Sequence, residues 1–397
     1  MPRVLRILNR LVIGGPSKNA VYLTKYMQPD FETLLVIGGR ENHEQDADFL
    51  ANALGIMPYC IPEMKRPISI ANDRAAYLKL KKIIKEFKPD IVHTHAAKSG
   101  ALGRLAAKHC GVPVIVHTFH GHVFHSYFNS FKTKLFIKAE QWLAGFTDAI
   151  IAISDVQKKE LAEDFKIAPA EKFCVIPLGL DLENFITDQE NKRKKFRNEF
   201  GLDNDTIAIG IIGRLVPIKN HILFLKGLKK LLDKSGKKVK AFIIGDGECR
   251  EDIEQKATVL GINFSKHTDT AHPHPLIFTS WRTDVDTVIA GLDIVALTSL
   301  NEGTPVSLIE AQAAGKPIVS TRVGGISDVV IENKTALLSD IHDEDGFADN
   351  LIKLVQDDSL RIMFQAEGKN HVLLKYSYQR LAADMRKLYY ELLTKKS

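Results

Sequence analysis

The sequence is poor in cysteine and tryptophan, and it contains no long uninterrupted run of apolar residues. Among 397 residues there are four cysteines and two tryptophans. The cysteines show neither a CxxC motif nor a Cys/His ligand spacing; they are Cys60, Cys110, Cys174 and Cys249. This usage argues against a disulfide scaffold or a zinc module and predicts buried, reduced thiols in a cytoplasmic protein. Each apolar run ends after a strand's length, well short of the ~18 residues of a spanning helix.

The amino-terminal stretch MPRVLRILNRLVIGG also lacks the features of a secretory signal. Three arginines interrupt its apolar positions, and no small-residue cleavage site follows. We therefore expect a cytoplasmic protein without a leader peptide. With 45% hydrophobic and 26% charged residues, the composition is that of a globular protein and excludes collagen-like, coiled-coil and disordered chains. The length predicts two domains.

The positive charge is concentrated in the first half of the chain. Residues 1–180 carry 24 Lys and Arg against 17 Asp and Glu, and the rest carries 30 against 31. This asymmetry is compatible with an anionic membrane surface or a phosphorylated substrate. No nucleic-acid-binding module is recognisable. The candidate membrane contacts lie on two helical stretches, for which an ordinary solvated surface is the alternative: Lys79, Lys81, Lys82, Lys85 and Lys88, then Lys132, Lys134 and Lys138.

Short β-branched runs alternate with helical segments along the whole chain. The runs are VLRIL (4–8), TLLVI (33–37), DIVH (90–93), PVIVHT (113–118), AIIAIS (149–154) and FCVIP (173–177), then TIAIGIIG (206–213), VKAFIIG (239–245), LIFT (276–279), DIVALTS (293–299) and PIVST (317–321). This alternation is typical of parallel sheets with helices on both faces. It predicts two doubly wound α/β domains, 1–180 and 181–375, with ligands in a cleft beyond the carboxyl ends of the strands. A final amphipathic helix is expected over 376–397.

Two segments of the second half bring together charged residues that suit a phosphorylated, hydroxyl-rich ligand. In NEGTPVSLIEAQAAGKPIVST (301–321), Pro305 predicts a helix start, with Glu302 in the loop before it and Glu310 inside the helix. The helix N-terminus offers backbone N–H groups to an anion, and the carboxylates can accept hydrogen bonds from hydroxyls. In GRLVPIKN (213–220), Arg214 and Lys219 can point at one bound group, and two cations suit a diphosphate.

These segments resemble the signature of the retaining glycosyltransferases of family 4, which have the GT-B fold. The resemblance includes the two glutamates, the following AAGKPIVSTRVGGISDVV, GRLVPIKN, IIGDGECR (243–250) and FTSWRTDV (278–285). It extends over essentially the entire chain. It implies two Rossmann-like domains facing across a cleft, an N-terminal domain that binds the acceptor, a C-terminal domain that binds the nucleotide-sugar donor, and a C-terminal helix that packs back on the N-terminal domain.

The resemblance also implies roles for individual residues. Arg214 and Lys219, preceded by Gly213, would hold the donor diphosphate and stabilise charge on the leaving nucleotide. Glu310 would bind the ribose hydroxyls, and Glu302 would lie near the donor sugar. Many members read EGFGLPVLE where this sequence reads EGTPVSLIE, with the proline two places earlier and one glycine absent. This departure leaves open which backbone groups contact sugar or phosphate, the candidates being Gly303, Thr304, Pro305 and Val306.

The loop after the strand at 276–279 is expected to border the nucleobase. The resemblance assigns Ser280, Trp281 and Arg282 to this part of the donor site, and many members carry glycine in place of Ser280. Trp281 can instead pack beneath the loop. Asp284 and Asp286 spell DxD, a metal-binding motif of another glycosyltransferase fold, but a helix start capped by Thr283 explains acidic residues there. We therefore expect no metal and no cofactor, the nucleotide sugar being a substrate.

In the first half, a glycine pair and a set of histidines follow predicted strands. Gly15 lies in a loop that can approach the diphosphate, with Ser17 expected to cap the next helix. The resemblance places His120 at the donor sugar, whereas His117 fits a core imidazole. His122 and His125 are candidates for acceptor binding. A metal bound by these histidines is the alternative, although no acidic residue lies between Val116 and Tyr127.

The combined pattern favours a retaining, metal-independent glycosyltransferase. It would move a hexose or N-acetylhexosamine from a nucleotide diphosphate sugar, with uridine favoured as the base, to a glycan or lipid-linked glycan acceptor for a surface polysaccharide. It would work in the cytoplasm or at the inner face of the membrane. Two alternatives remain open: a GT-B nucleotide-sugar epimerase and a catalytically silent glycan-binding subunit. The second predicts loss of the charged residues, yet all four, Arg214, Lys219, Glu302 and Glu310, are present.

Overall fold

The chain forms two compact α/β units in a computed structural model that describes residues 1–12, 14–40, 47–65, 67–121, 130–269, 271 and 273–396. Unit 1 comprises Met1–Leu180 together with Lys375–Ser397, and unit 2 comprises Asp181–Leu374. Each unit is built on one seven-stranded sheet. Every strand pair in both sheets is parallel, so the helical segments serve as crossovers between strands, as the alternation predicts.

The sheet of unit 1 has the strand order β3-β2-β1-β4-β5-β6-β7. Its strands are β1 (Arg3–Leu8), β2 (Glu32–Gly38), β3 (Tyr59–Ile61), β4 (Ile91–His95), β5 (Val114–Phe119), β6 (Ala149–Ala152) and β7 (Phe173–Val175). Since β1 lies between β2 and β4, the chain changes direction across the sheet at β1 and β4. In the register of this pair, Arg6 is opposite His93 and Leu8 is opposite His95.

Helices cover both faces of this sheet. They are α1 (Gly15–Tyr26), α2 (Asp48–Ala53), α3 (Ile70–Phe87), α4 (Ala97–His109), α5 (Ser130–Ala144) and α6 (Asp155–Lys159), joined by the C-terminal α15 (Tyr378–Thr394). The apolar stripe of α15 contributes Leu381, Met385 and Leu388 to the same core as Val4 and Phe31. The C-terminal helix is therefore part of unit 1.

The sheet of unit 2 has the order β10-β11-β9-β8-β12-β13-β14. Its strands are β8 (Ile207–Ile212), β9 (Val239–Ile244), β10 (Phe264–Lys266), β11 (Leu276–Ser280), β12 (Ile294–Leu297), β13 (Ile318–Thr321) and β14 (Ala336–Ser339). Here the chain changes direction across the sheet at β8 and β12. The helices are α7 (Gln189–Glu199), α8 (His221–Lys234), α9 (Arg250–Val259), α10 (Val285–Gly291), α11 (Val306–Ala313), α12 (Ile326–Val329), α13 (Glu344–Gln356) and α14 (Asp358–Tyr376).

The predictions of buried thiols and of a Ser17 cap are wrong. The expected buried thiols are more accessible than predicted, since Cys60 is exposed and the other three cysteines are half-buried, although all four are free. Ser17 does not cap α1, whose N-cap is Gly14. Instead Ser17 Oγ donates to the carbonyl of Val12 at 2.6 Å and accepts from its N–H at 3.1 Å. The hydroxyl therefore closes the loop before the helix rather than the helix end.

Candidate functional site

The carboxyl ends of β8 and β12 lie side by side, and the chain leaves them toward opposite edges of the sheet. At such a switch point the two following loops diverge, which is where open parallel sheets bind ligands. Arg214 and Lys219 follow β8, and Glu302 follows β12. The structure therefore brings together three of the four predicted catalytic residues.

An ion pair joins these two loops. Lys219 Nζ contacts Glu302 Oε1, and Ser299 Oγ donates to the same carboxylate oxygen at 2.6 Å. Behind them, Thr298 Oγ1 donates to the carbonyl of Lys219 at 3.0 Å. The Lys219 and Glu302 side chains are only 22% and 12% exposed. Their charges are thus held in place by neighbouring groups, and Ser299, which no sequence signal singled out, is part of this arrangement.

Arg214, unlike Lys219, forms no ion pair with another described residue. It is exposed, and within the described part of the chain its side chain makes no hydrogen bond or ion pair. Its loop is fixed by backbone contacts, because the N–H of Gly213 donates to Ile244 at 3.0 Å and that of Leu215 to Asp246 at 2.9 Å. A rigid loop with a free guanidinium can contact an anion without first breaking an internal ion pair.

Glycines allow the backbones of neighbouring loops to approach each other. A Cβ on Gly245, whose φ is +136°, would lie 1.9 Å from the carbonyl oxygen of Gly213. On the other side, a Cβ on Gly325 would lie 1.7 Å from the carbonyl oxygen of Gly303. The N–H of Gly325 also donates to the Glu302 carbonyl at 2.9 Å. The VGG segment (323–325) thereby positions the loop that carries Glu302. It is part of the sequence motif, but we did not predict this role for it.

The second glutamate is on the helix that follows. α11 begins at Val306 with Pro305 as its N-cap, so Gly303 and Thr304 belong to the loop before it, as predicted. Glu310 is one turn inside the helix and 7% exposed. The helix N-terminus and the two carboxylates are therefore contributed by one continuous segment. The roles of these groups in ligand binding stay predictions.

The loop that starts at Ser280 has an unusual backbone. Ser280 has a φ of +56°, a left-handed conformation that favours glycine. Its carbonyl accepts from the N–H of Gly245 at 3.0 Å, and its hydroxyl accepts from Arg250 Nη1 at 3.2 Å. The conformation explains physically why glycine suits this position. Trp281 follows with 45% of its surface exposed, which leaves its ring accessible for stacking.

Arg282 and the two DxD aspartates are engaged in ion pairs. The Arg282 guanidinium binds the Asp284 carboxylate through two nitrogens, at 2.8 and 2.9 Å, and also contacts Glu199. The hydrogen bond with Glu199, followed by that with Asp284, raises the pKa of Arg282. Asp286 pairs with Lys192 at 2.9 Å. α10 begins after Asp284, which stands at its N-cap without a side-chain capping bond, so Thr283 is not the cap that we expected.

Unit 1 contains a separate cluster of polar residues at β1, β4 and β5. Arg6, His93, His95 and His117 are fully buried, and His120 just beyond β5 is half-buried. His95 Nδ1 lies 2.8 Å from His120 Nε2. Burial lowers the pKa of His120 to about 3, so the ring is neutral at physiological pH.

The other residues predicted in unit 1 have less distinct surroundings. His117 Nδ1 lies 2.8 Å from Thr94 Oγ1, and its ring is so close to α4 that a Cβ on Gly100 would be 2.5 Å from it. This packing fits a core residue. Gly15 was predicted to lie in a loop, and this is wrong, because it is the first residue of α1 and Gly14 is the N-cap. His122 and His125 lie outside the described residues.

The described residues contain neither a cluster of metal ligands nor a membrane-spanning helix. No group of three or more His, Cys, Asp or Glu in this part of the chain is arranged to hold a metal ion. Among the same residues, no helix is both long enough and apolar enough to cross a membrane.

Comparison with known proteins adds family information to this geometry. A model described as Glycosyltransferase Family 4 matches residues 13–184, and one described as Glycosyl transferases group 1 matches residues 192–371. The Escherichia coli UDP-Gal:alpha-D-GlcNAc-diphosphoundecaprenol alpha-1,3-galactosyltransferase is 30% identical over 346 residues, which cover 86% of this chain and 85% of the relative. The Staphylococcus aureus capsular polysaccharide biosynthesis glycosyltransferase CapM is 27% identical, covering 82% and 83%.

A solved structure shows the same architecture. The Anabaena protein Alr3699/HepE, in complex with UDP, superimposes with a TM-score of 0.81 at 18% identity, covering 98% of this chain and 100% of the other. At this identity the likeness concerns the fold.

Proposed function

The chain belongs to glycosyltransferase family 4 and has the GT-B fold, and on this premise we propose that it is a retaining, metal-independent enzyme that uses a UDP-sugar. It is a glycosyltransferase whose donor is a nucleotide sugar. The finer proposal is transfer of a hexose or N-acetylhexosamine to a lipid-linked glycan of a surface polysaccharide. The E. coli relative, whose name specifies UDP-Gal and a diphosphoundecaprenol-linked acceptor, and CapM support it.

The observation that carries the proposal is the pair of cations at the switch point of unit 2. Arg214 offers a guanidinium without a partner among the described residues, and Lys219 offers an ammonium that is paired with Glu302 from the loop after β12. A donor diphosphate would bind these two groups beside the N-terminus of α11. Cations at this place stabilise the negative charge that develops on the leaving nucleotide, an effect typically of ~3–4 kcal/mol for one well-placed group.

The two glutamates take different roles in this scheme. Glu310, nearly buried in α11, accepts hydrogen bonds from the ribose hydroxyls. Glu302 positions Lys219 through its Oε1 atom, which is bonded to Lys219 and Ser299. Its other oxygen, Oε2, accepts a hydrogen bond from a hydroxyl of the donor sugar. As the resemblance implies, we also propose that His120 donates a hydrogen bond to an oxygen of the donor sugar.

We assign no protein nucleophile to the reaction. In the proposed step, the acceptor hydroxyl attacks the anomeric carbon from the side of the leaving group. The bond from that carbon to the phosphate oxygen breaks, and the acceptor proton passes to the departing phosphate. Glu302 is a poor nucleophile, since the ammonium of Lys219 binds its carboxylate. Cationic side chains take the place of a metal ion, and both DxD carboxylates pair with cations.

A lipid-linked acceptor requires contact with a membrane, and we propose the exposed face of α5 for it. Leu135 and Trp142 are 65% and 58% exposed on this helix, and Lys134 and Lys138 are exposed beside them. Apolar side chains flanked by lysines suit the interface of an anionic bilayer. The α3 lysines fit less well, because Lys79 pairs with Glu63 at 2.6 Å.

A transfer assay tests the proposed function. The purified chain is incubated with UDP-glucose, UDP-galactose or UDP-N-acetylglucosamine and a polyprenyl-diphosphate-linked N-acetylglucosamine, in the presence of EDTA. We expect one donor to give a disaccharide product with an α linkage. A β-linked product would overturn retention, and isomerised donor formed without acceptor would instead establish an epimerase.

A further inference from the structure

Arg6 is a fully buried arginine without a carboxylate partner among the described residues. Its Nη1 atom contacts two histidines. It lies 2.9 Å from His93 Nδ1 and 3.4 Å from His95 Nε2. Its Nε and Nη2 have no hydrogen-bond partner among the residues that the structure describes. Burying a guanidinium without an opposite charge is costly, so the arrangement calls for a reason other than stability.

The contacts of Arg6 fix where the protons of the neighbouring histidines are. A guanidinium can only donate hydrogen bonds, and Nη1 carries two hydrogens. Both His93 Nδ1 and His95 Nε2 must therefore accept. A neutral imidazole has one N–H, so His95 carries its proton on Nδ1, and this N–H donates to His120 Nε2 at 2.8 Å. His120 Nε2 is then an acceptor, which leaves the proton of His120 on Nδ1.

We propose that Arg6 and His95 are positioning residues that hold His120 as its neutral Nδ1–H tautomer and present that N–H as a hydrogen-bond donor to an oxygen of the donor sugar. The Nδ1 atom of His120 is buried and has no partner among the described residues, so the N–H of this tautomer has no acceptor within that part of the protein. The inference rests on the proposed function, in which His120 contacts the sugar. It adds two residues to that function and gives His120 a donor role instead of an acid or base role.

The surroundings keep the histidines neutral, as this chain of hydrogen bonds requires. Burial lowers the pKa of His95 well below its usual value, and the positive charges of its neighbours act in the same direction. Among the described residues, the titratable groups that interact electrostatically with His120 are His93, His95 and His117, and none of them is acidic.

Further contacts fix His93, which lies at the end of this series of hydrogen bonds farthest from His120. His93 Nε2 lies 2.7 Å from Thr118 Oγ1, and its Nδ1 also lies 2.6 Å from the hydroxyl of Tyr389 on α15. The C-terminal helix thus takes part in orienting Arg6.

The first test determines the tautomer of His120 in the wild-type protein. The full chain is labelled with ¹⁵N-histidine, and its imidazole nitrogens are recorded at pH 7, with His120 assigned by the signal missing in His120→Asn. We expect a protonated Nδ1 and an unprotonated Nε2 for His120. A protonated Nε2, or a ring protonated on both nitrogens, would overturn the proposal.

The second test uses two substitutions of nearly equal size. In His95→Asn the side-chain amide can still donate to His120 Nε2, whereas in His95→Asp the carboxylate can only accept and moves the proton of His120 to Nε2. We expect kcat/KM at pH 8 to fall by ~10- to 100-fold in His95→Asp and to be largely restored in His95→Asn. Affinity for free UDP should be unchanged in both.

The pH profile separates this role from a structural one. A carboxylate at position 95 raises the pKa of His120, and the resulting imidazolium again carries an Nδ1–H. Activity of His95→Asp should therefore recover as the pH falls, while His95→Asn should follow the wild type. Equal losses at every pH in two folded variants would contradict the proposal. If no nucleotide sugar is turned over by the wild type, the proposed function fails, and the ¹⁵N spectrum still decides the tautomer.

Discussion

The ammonium of Lys219 and the carboxylate of Glu302 form an ion pair across 83 residues of sequence. Their loops follow β8 and β12, which are hydrogen-bonded neighbours in the sheet of unit 2. Because the pair is largely shielded from water, removal of one partner leaves the other charge poorly compensated. Lys219 therefore has a structural role in addition to its proposed contact with the diphosphate, and Arg214 does not.

This difference gives the first prediction. Arg214→Ala should lower kcat/KM by ~10²- to 10³-fold while the free energy of unfolding changes by less than ~0.5 kcal/mol. Lys219→Ala should lose activity to a similar extent and also lose ~1–3 kcal/mol of stability, because the Glu302 carboxylate loses its partner. Steady-state kinetics and urea unfolding measure the two effects.

A double variant distinguishes the two roles of Lys219. Lys219→Ala combined with Glu302→Gln removes the uncompensated charge, so it should regain stability but not activity. Lys229→Ala, which breaks the exposed pair with Asp233, is a control for loss of a surface lysine. Near-normal kcat/KM in both Arg214→Ala and Lys219→Ala would defeat the diphosphate assignment.

The second prediction separates the two glutamates. Glu310→Ala should weaken binding of free UDP by about 10- to 100-fold, since hydrogen bonds to a charged group contribute ~1.5–3 kcal/mol. Glu302→Gln should leave UDP affinity within about threefold and mainly reduce use of the intact sugar donor. Isothermal titration with UDP decides this, and equal losses in both variants would show that the roles are wrongly divided.

The sequence predicts the central strands well but misses three of the four edge strands, the exception being β7 within the run FCVIP. The strands without a predicted run are β3, β10 and β14, and each is the outermost strand of its sheet. These three strands are only three or four residues long, so their periodicity is too brief to recognise. The equally short β7 was predicted because it lies within a longer apolar run. Central strands such as β8 are buried on both faces and therefore read as continuous apolar runs.

The candidate site was predictable where a motif places residues on consecutive loops. The positions of Glu302 and Glu310 relative to α11 follow from Pro305 alone. Contacts between distant segments were not predictable. The links from Arg6 to His95 and from Ser299 to Glu302 depend on which strands are neighbours, and nothing in the local sequence specifies that.

The third prediction concerns metal ions. EDTA should not reduce the transfer rate, because Arg214, Lys219 and the N-terminus of α11 provide the positive charge at the diphosphate. Asp284→Asn should likewise retain activity, since this carboxylate pairs with Arg282. The rate is measured with and without added manganese or magnesium. Strict dependence on either ion would revive the DxD interpretation.

The fourth prediction is a loss of stability on acidification to which His221 contributes. His221 is 2% exposed, and neither ring nitrogen has a hydrogen-bond partner among the described residues. Burial, followed by the charge of Lys219, lowers its pKa to about 4. The unfolded value is ~6.5, so the unfolded state binds more protons between these values, and stability falls as the pH decreases.

A leucine variant isolates this contribution. From pH 7 to pH 5, His221 alone should cost ~2 kcal/mol, and the other buried histidines add to the loss. His221→Leu should therefore lose ~2 kcal/mol less than the wild type over this range. His342→Leu, which removes an exposed imidazole, serves as the control. Urea unfolding at the two pH values provides the measurement, and identical losses in the wild type and His221→Leu would contradict the assignment.

The fifth prediction concerns the membrane face of α5. If Leu135, Trp142 and the adjacent lysines contact anionic lipid, the protein should float with vesicles containing phosphatidylglycerol at low salt and be released at high salt, because a charge near the surface contributes only ~1 kcal/mol and is screened. Trp142→Ser should reduce binding, since it removes the largest exposed apolar side chain of this face.

A matched control is available because the chain contains only one other tryptophan. Trp281 is 45% exposed and belongs to unit 2, so Trp281→Ser removes a similar apolar surface elsewhere and should leave vesicle binding unchanged. In that variant Trp142 is the sole tryptophan, and its emission should shift to shorter wavelength when vesicles are added, as expected for an indole that enters the interface. Equal reduction of vesicle binding in both variants would indicate nonspecific hydrophobic adsorption. Absence of flotation at low salt would show that the acceptor is reached without direct lipid contact, because the lysines of α5 then attract no anionic surface.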